Sequence, residues 1–491
     1  MNVSQRRRIF NQRSTSNVYR SFLWTVMILS GLWLIYGVNA GEIKTGAVPS
    51  ATPTRAAPSY EAEAEAYFRA GKLDAAINAY QRAIDIDPTD ANAWAKTARI
   101  QTYASGLTTS DDDKRKVLLA ALASINQAKV LAPDSSEVAA IRAFVLDWNA
   151  NSSIFPTTAA DSLLEAEREA TRARQLDSQN VLALAYNAEI WIDQQKLDQA
   201  NKLIQQAINL GDDQMDVHRI YAYLLESESA YSQAIAEYDK AILITPNLTF
   251  LYLSAGANYR RLAFGSALDE QQTELYNKSL EYFAKAAKIN GQLSVKDPIP
   301  YLSIAKTYSQ MGEYFIAGRN VQKALDFKPS DADVYGQLGI VFFKSRNYEG
   351  SIYAFKCAVR GCTPPESCLG RYGRDCDPDL GEAGVEVNGL PLSDSTLVYY
   401  YTYGSALAAL SRPKLNYCPD AIKVLGEVHS YALSGKSANG DPTPTPDANI
   451  LIIVREGISI CQAIEQGATP TPGSNGTAAP SMTETLQPGI K

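Results

Sequence analysis

From Ser21 to Gly41 the chain carries no charge, and nine Leu, Ile, Val or Phe residues fall between Phe22 and Val38. This is one continuous apolar run, and about 17–25 such residues suffice to span a bilayer. From Ala57 onward the pattern changes. Small and large apolar residues recur at helical spacing, separated by polar ones, as amphipathic helices require. The pattern also repeats at long range. Ala173, Ala207 and Ala241 stand 34 residues apart, as do Ala200 and Ala234, Tyr301 and Tyr335, Tyr314 and Tyr348, and Ala324 and Ala358. A fixed period of this length marks a solenoid, in which each unit buries its faces only against its neighbours.

Residues 57–90 show the unit most completely. Tyr60 takes a large aromatic position, Ala64 and Tyr67 pack within the first helix, and Gly71 makes the turn. Leu73, Ala76, Tyr80 and Ala83 pack in the second helix, and Pro88 ends the unit. The same order returns in 181–214, 215–248, 298–331 and 332–365. These residues resemble the tetratricopeptide-repeat (TPR) family. The resemblance implies an all-α, right-handed superhelical solenoid, a surface for binding other proteins rather than a catalyst. It covers eight units over 57–365: 57–90, 91–135, 136–180, 181–214, 215–248, 249–297, 298–331 and 332–365. Ala83 to Ala128, Ala128 to Ala173 and Ala241 to Ala286 are each 45 residues apart, 11 more than the period. Eleven residues are close to three helical turns and keep a buried face in phase. Each insert is expected to form a short loop and a second helix lengthened by about two turns. Asp111–Asp113, Thr157–Thr158 and Asp269–Glu270 read as their caps. The inserts crowd one edge of the solenoid, either as a second binding face or as neutral elaboration.

Charge gives the apolar run an orientation. Arg6, Arg7, Arg8, Arg13 and Arg20 make residues 1–20 a basic segment of +5, whereas the whole chain is −7. The nine large apolar residues favour insertion by on the order of 3–5 kcal/mol. Residues 21–41 therefore read as a transmembrane signal anchor, with the N-terminus cytoplasmic and the bulk outside. Secretion after cleavage is the alternative, since Val38-Asn39-Ala40 has the small-residue form of a cleavage site. Residues 42–59 read as a flexible Pro/Thr linker and 466–491 as a disordered Thr/Pro tail. The loop 441–447 shares that composition, which can carry O-linked sugars. An acidic body repels phosphate backbones, which argues against nucleic acid as a partner.

All six cysteines follow residue 356. An even number on the exported side suggests disulfides. No Cys-x-x-Cys occurs and the histidines are His218 and His429, so a metal site is not supported. Cys418 opens one expected helix and Cys461 lies late in another. Antiparallel packing would bring them together as a bridge. Cys357, Cys362, Cys368 and Cys376 are left to pair among themselves, connectivity open, stapling an insert at 366–396. Residues 397–465 read as a degenerate TPR pair with a final capping helix.

No phosphate loop, His-Glu-x-x-His or Gly-x-Ser-x-Gly occurs. His218 and His429 fall at packing positions, and Asp212-Asp213 read as a helix cap, so no catalytic residue or cofactor is expected. In TPR proteins the first helices line a concave groove. Transferred by repeat, the groove positions are Arg219, Tyr223, Glu226, Phe250, Leu253, Arg260, Arg261, Lys306, Ile340, Phe343 and Lys344. Several cations there suit an extended peptide with acidic groups. Glu61 and Glu65 stand where a chaperone-binding carboxylate clamp has Lys and Asn, so that ligand is not implied. The expectation is a scaffold for proteins or peptides at the cell envelope. The alternatives are a spacer with glycosylated Thr-Pro segments and an enzyme with an unrecognised site in the Cys-rich insert. Membrane fractionation separates the two N-terminal readings: the anchor keeps the mature chain in the membrane pellet, with an N-terminus upstream of Gly41. A soluble chain starting at Gly41 would reject it.

Overall fold

The computed structural model describes residues 17–40, 55–108, 110–412, 414–434 and 448–466. Residues 1–16, most of the expected linker, the Thr-Pro loop 441–447 and the tail from 467 lie outside the described residues. The chain divides into two units, Met1–Ala56 and Ala57–Lys491. In the first, α1 (Val18–Asn39) holds 22 residues. At 1.5 Å per residue it measures about 33 Å, against about 30 Å for a bilayer's hydrocarbon core. It is long and apolar enough to cross a membrane.

In the second unit eight helix pairs follow in order. They are α2 (Ala57–Arg69) with α3 (Leu73–Ile86), α4 (Ala91–Ser105) with α5 (Asp111–Leu131), and α6 (Ser136–Ala150) with α7 (Ala159–Leu176). Next come α8 (Val181–Asp193) with α9 (Leu197–Leu210), α10 (Met215–Ser227) with α11 (Tyr231–Ile244), and α12 (Thr249–Gly265) with α13 (Asp269–Gln292). The last are α14 (Ile299–Gln310) with α15 (Tyr314–Phe327) and α16 (Ala332–Lys344) with α17 (Tyr348–Arg360). Each helix packs on its pair-mate, and each second helix also packs on the first helix of the next pair.

The pairing rests on one steric rule. The first helix of each pair carries a small residue in the middle: Ala64, Ala98, Ala143, Ala188, Ala222, Gly256, Ala305 and Gly339. The alanines are buried. Where the residue is glycine, the partner helix lays a ring on it. A methyl at Gly256 would stand 2.7 Å from the Phe283 ring, and one at Gly339 2.6 Å from Phe355. The second helices answer with buried Ala76, Ala121, Ala166, Ala200, Ala234, Ser279, Ala317 and Ser351. Close approach of this kind gives dense packing and leaves no room for an added methylene.

Three second helices are long: α5 has 21 residues, α7 18 and α13 24. Their caps differ from those expected. At α5 the Ser110 hydroxyl caps, accepting from the Asp113 amide at 3.1 Å, while Asp111–Asp113 occupy the first turn. There they favour the positive helix end as charges rather than as caps. Thr158 precedes α7 but makes no capping hydrogen bond with its side chain, and Leu268 precedes α13. Asp212-Asp213 do not cap α10 either, whose cap position is Gln214.

After α17 the chain forms α18 (Pro364–Tyr372), a 3-10 turn at Pro378–Leu380, then α19 (Leu397–Leu410), α20 (Cys418–Ser434) and α21 (Ala448–Glu465). Gly404 on α19 faces Leu425 on α20, so the steric rule extends to this last pair. Three disulfides join Cys357 to Cys362, Cys368 to Cys376 and Cys418 to Cys461, with Cα separations of 4.7, 5.2 and 5.3 Å. The first two staple the insert. Within it Arg371 is buried and donates to the Ala383 carbonyl, and the Val385 amide donates to Ser367 Oγ at 3.0 Å. The third ties the start of α20 to the last turns of α21.

Closing the 43-residue separation between Cys418 and Cys461 stabilises by roughly 4 kcal/mol on chain entropy grounds. The Cys418→Ser, Cys461→Ser double variant is expected to lose protection of α20 and α21 in hydrogen exchange while α2 to α11 keep theirs. Equal loss everywhere would contradict a local role for this bridge.

Candidate interaction surface

The first helices α4, α6, α8 and α10 pack in series, and their inward faces meet instead of lining an open trough. Asp216, in the first turn of α10, is fully buried. It pairs with Arg99 of α4 and accepts from the Tyr103 hydroxyl of the same helix. The Tyr186 hydroxyl of α8 donates to it at 2.8 Å. One turn on, Arg219 donates twice to Glu189 of α8, at 2.8 and 2.7 Å. Its guanidinium lies 5.7 Å from the Tyr103 ring and 5.8 Å from Phe144. Tyr103 stacks on Phe250 of α12 at 5.3 Å, and Phe144 on Tyr186 at 4.6 Å. At the rim, the α2–α3 turn rests on the link after α11. A side chain at Gly71, where φ is +71°, would collide with the Asn247 carbonyl.

Burial alone would raise the Asp216 carboxyl, but Arg99, Arg219 and the Tyr103 hydroxyl outweigh it and hold it below its usual range. The hydroxyls of Tyr103 and Tyr186 go up, first from burial and then from the Asp216 charge. The core is thus a neutralised network: two carboxylates, two guanidiniums and two phenols spanning three pairs. Burying charge is tolerable only with this degree of pairing.

Arg219 therefore does not face an open groove, where its repeat position had placed it. It is enclosed and its charge is neutralised by Glu189. Leu253 is likewise buried, and half-buried Phe250 packs against the core. Tyr223 donates to Asp193 at 2.8 Å. Glu226 pairs with Arg261 and accepts from Asn258 at 2.9 Å. Beyond α10 the inner face is more open. Arg260, Lys306, Ile340, Phe343 and Lys344 are half-buried, on three successive first helices, α12, α14 and α16. Arg260 donates to the Ser303 carbonyl at 3.2 Å and lies 5.5 Å from the Phe283 ring. Lys344 lies 5.9 Å from the Tyr314 ring. Aromatic faces hold such cations without withdrawing them from solvent.

Residues 64–100 match the TPR repeat family profile, and the helix pairs that follow obey the same small-against-large rule. The chain thus carries a TPR repeat at 64–100. No curated protein is significantly similar to it in sequence. Among solved structures it is similar to a thermophilic TPR protein of Thermus thermophilus, at 18% identity over 41% of this chain and 98% of that one, with a TM-score of 0.34. It is similar to PilW, described as a widely conserved type IV pilus biogenesis factor, at 16% identity over 43% and 90%, with a TM-score of 0.35. The human IFIT1 dimer with PPP-AAAA is 14% identical over 83% of each chain, with a TM-score of 0.48.

The TPR array offers little acid–base chemistry. His218 is buried, with Nδ1 2.7 Å from Glu237 Oε2 and Nε2 2.7 Å from the Asp212 carbonyl. Two acceptors call for a doubly protonated ring. Burial opposes this, but the hydrogen bonds to Glu237 and Asp212 prevail and raise the His218 pKa. Among the described residues no group of three or more His, Cys, Asp or Glu is placed to hold a metal ion.

Sequence pattern pointed to Asp212-Asp213 and passed over Asp216. The one local signal was an acid at the second position of a first helix. Its partner Arg99 lies 117 residues earlier, and no periodicity reports that pairing.

Asp216→Ala leaves Arg99 buried without its carboxylate and costs on the order of 3–5 kcal/mol, read as a fall in the denaturant midpoint. For His218, a raised folded pKa means its contribution is complete below the usual histidine range and is lost as pH rises through the folded value. Melting temperature should therefore drop from pH 6 upward, and His218→Gln should flatten that limb. An unchanged slope in the variant would discount the His218–Glu237 pair.

Proposed function

We propose that this TPR protein is an extracytoplasmic scaffold, held at a membrane by α1. It takes an extended, acidic peptide of a partner along the inner face from α12 to α16. One contrast carries the reading. On the first-helix face Tyr103, Tyr186, Asp216 and Arg219 are buried, whereas Arg260, Lys306, Phe343 and Lys344 are half-exposed farther along. Arg and aromatic side chains are the usual anchors of such interfaces, and a row on successive first helices suits an extended chain. The acidic remainder of the protein gives the row contrast, and argues against nucleic acid.

The envelope location draws on two observations. Five arginines precede α1 or open it, with no acid among them, which favours that end in the cytoplasm. Three disulfides follow it, and these persist in oxidising compartments. Two of these bonds occupy all four clustered cysteines, Cys357, Cys362, Cys368 and Cys376, which removes them as nucleophiles. A second reading, a rigid spacer whose Thr-Pro segments carry sugars, has the sealed inner face of α4 to α10 in its favour.

Crosslinking in intact cells, followed by purification of the full chain, separates these readings. The Arg260→Glu, Arg261→Glu variant should recover at least about tenfold less of a partner, and Arg319→Glu on the exposed side of α15 should recover as much as wild type. Far-ultraviolet circular dichroism controls for folding. Recovery of every partner undiminished by the double reversal would favour the spacer.

A further inference from the structure

The link between α13 and α14 departs from every other link of its kind. It runs Leu293–Pro298, six residues, where the links after α3, α5, α7, α9, α11 and α15 have four. The extra length shows in sequence, since Ala286 and Ala324 are 38 residues apart instead of 34. The apolar core is thin at the same place. One large cluster runs from Ala64 to Ala255 and another begins at Ala305. Between them lies a small group of Leu253, Phe283 and Ala286, with Ile299 and Ile304 against it.

The polar group buried at this junction is Asp297, 4% exposed. Its Oδ1 accepts from the Ile299 amide at 2.9 Å and its Oδ2 from Asn290 Nδ2 at 3.1 Å. Asn290 is itself buried, and its Oδ1 has no partner. The charged groups on the surrounding elements are Arg260 and Arg261 on α12, Glu281, Lys285 and Lys288 on α13, Lys296 in the link and Lys306 on α14. None of them pairs with Asp297. A buried carboxylate therefore faces two neutral donors, beside an amide oxygen that lacks one.

We propose that the α13–α14 link is a hinge between the two cores, and that protonation of Asp297 latches it shut. As an acid, Asp297 sheds the charge that burial penalises, while its carbonyl oxygen still accepts from the Asn290 amide. As a carboxylate it is better solvated with the link opened to water. Burial pushes Asp297 up to about 6, against the pull of the Ile299 amide and Asn290. The closed link thus prefers the proton, and its advantage is lost as pH rises through that value. A difference of about two pH units between closed and open forms moves the opening equilibrium by on the order of 100-fold. Arg260 on α12 and Lys306 on α14 flank the hinge, and Arg260 bonds across it to Ser303. The hinge would set the spacing of the cationic row, a consequence that rests on the proposed peptide-binding role.

Hydrogen exchange of the full chain in detergent, normalised for intrinsic rates, tests the hinge without any partner. Amides of 286–304 should lose at least about tenfold in protection between pH 5 and pH 7.5, while α6 to α10 keep theirs. Asp297→Asn, which keeps the shape and cannot ionise, should hold the low-pH protection throughout. Asn290→Ala removes a donor to the carboxylate and should move the transition to higher pH. Protection of 286–304 that ignores pH in wild type, or that falls equally in Asp297→Asn, overturns the proposal. Pull-down through the Arg260–Lys344 row is a separate readout, so loss of that binding role leaves the hinge result standing.

Discussion

Everything in this array depends on how closely two helices can approach. A small residue in the middle of each first helix admits the partner helix, and a large side chain opposite fills the space so made. Ala64, Ala98, Ala143, Ala188 and Ala222 are buried to the point of having no accessible surface. Gly256, Gly339 and Gly404 sit against Phe283, Phe355 and Leu425, so the largest contacts fall on the smallest residues. Volume is conserved across the interface even though the residue types change. That is what close-packed interiors tolerate. Because each pair presents its other face to the next, the contact propagates along the chain. The 11-residue inserts survive because they lengthen second helices at their starts and leave the packing register intact.

Such a stack has an inner face, and the side chains on it decide whether that face is a groove. From α4 to α10 it is filled by the chain itself. Asp216, Arg99, Arg219 and Glu189 neutralise one another within a lining of aromatic rings. A network of this kind contributes less net energy than its number of contacts suggests, because each ion gave up water to enter it. Its specificity is greater, since removing one member strands the rest. It fixes the curvature of the first half by joining helices three pairs apart. Farther on, Arg260 and Lys344 stay half-exposed beside the Phe283 and Tyr314 rings. One protein thus contains a sealed half and an open half.

The two apolar cores meet at the α13–α14 link, the longest between the eight pairs, where the core is thinnest. Stability in repeat arrays is a sum over neighbouring interfaces, so a weak interface is where an array bends. A buried titratable group at that point makes the bend responsive to its surroundings. The disulfides lie well beyond it, in the C-terminal elements.

Much of this is legible in the order of residues alone. The 34-residue spacing of alanines and tyrosines marks the pairs, and the 45-residue spacings mark the three long second helices. Both signals are local: they depend on residues within one or two units, and helical periodicity reports such contacts directly. The uncharged run before Gly41 is legible for the same reason. The cap at α5 was misplaced by one residue, because an Asp run and a Ser compete for one position and only backbone geometry chooses. The inner face was not legible at all. Arg219 occupies the repeat position of a groove residue, yet whether that position is open depends on how far the superhelix has turned when it meets its own earlier helices. That turn is the accumulated sum of small angles over several units. Sequence by itself determined which helices pair; only the tertiary structure decided what their inner faces enclose, since curvature is a property of the whole stack and no single repeat encodes it.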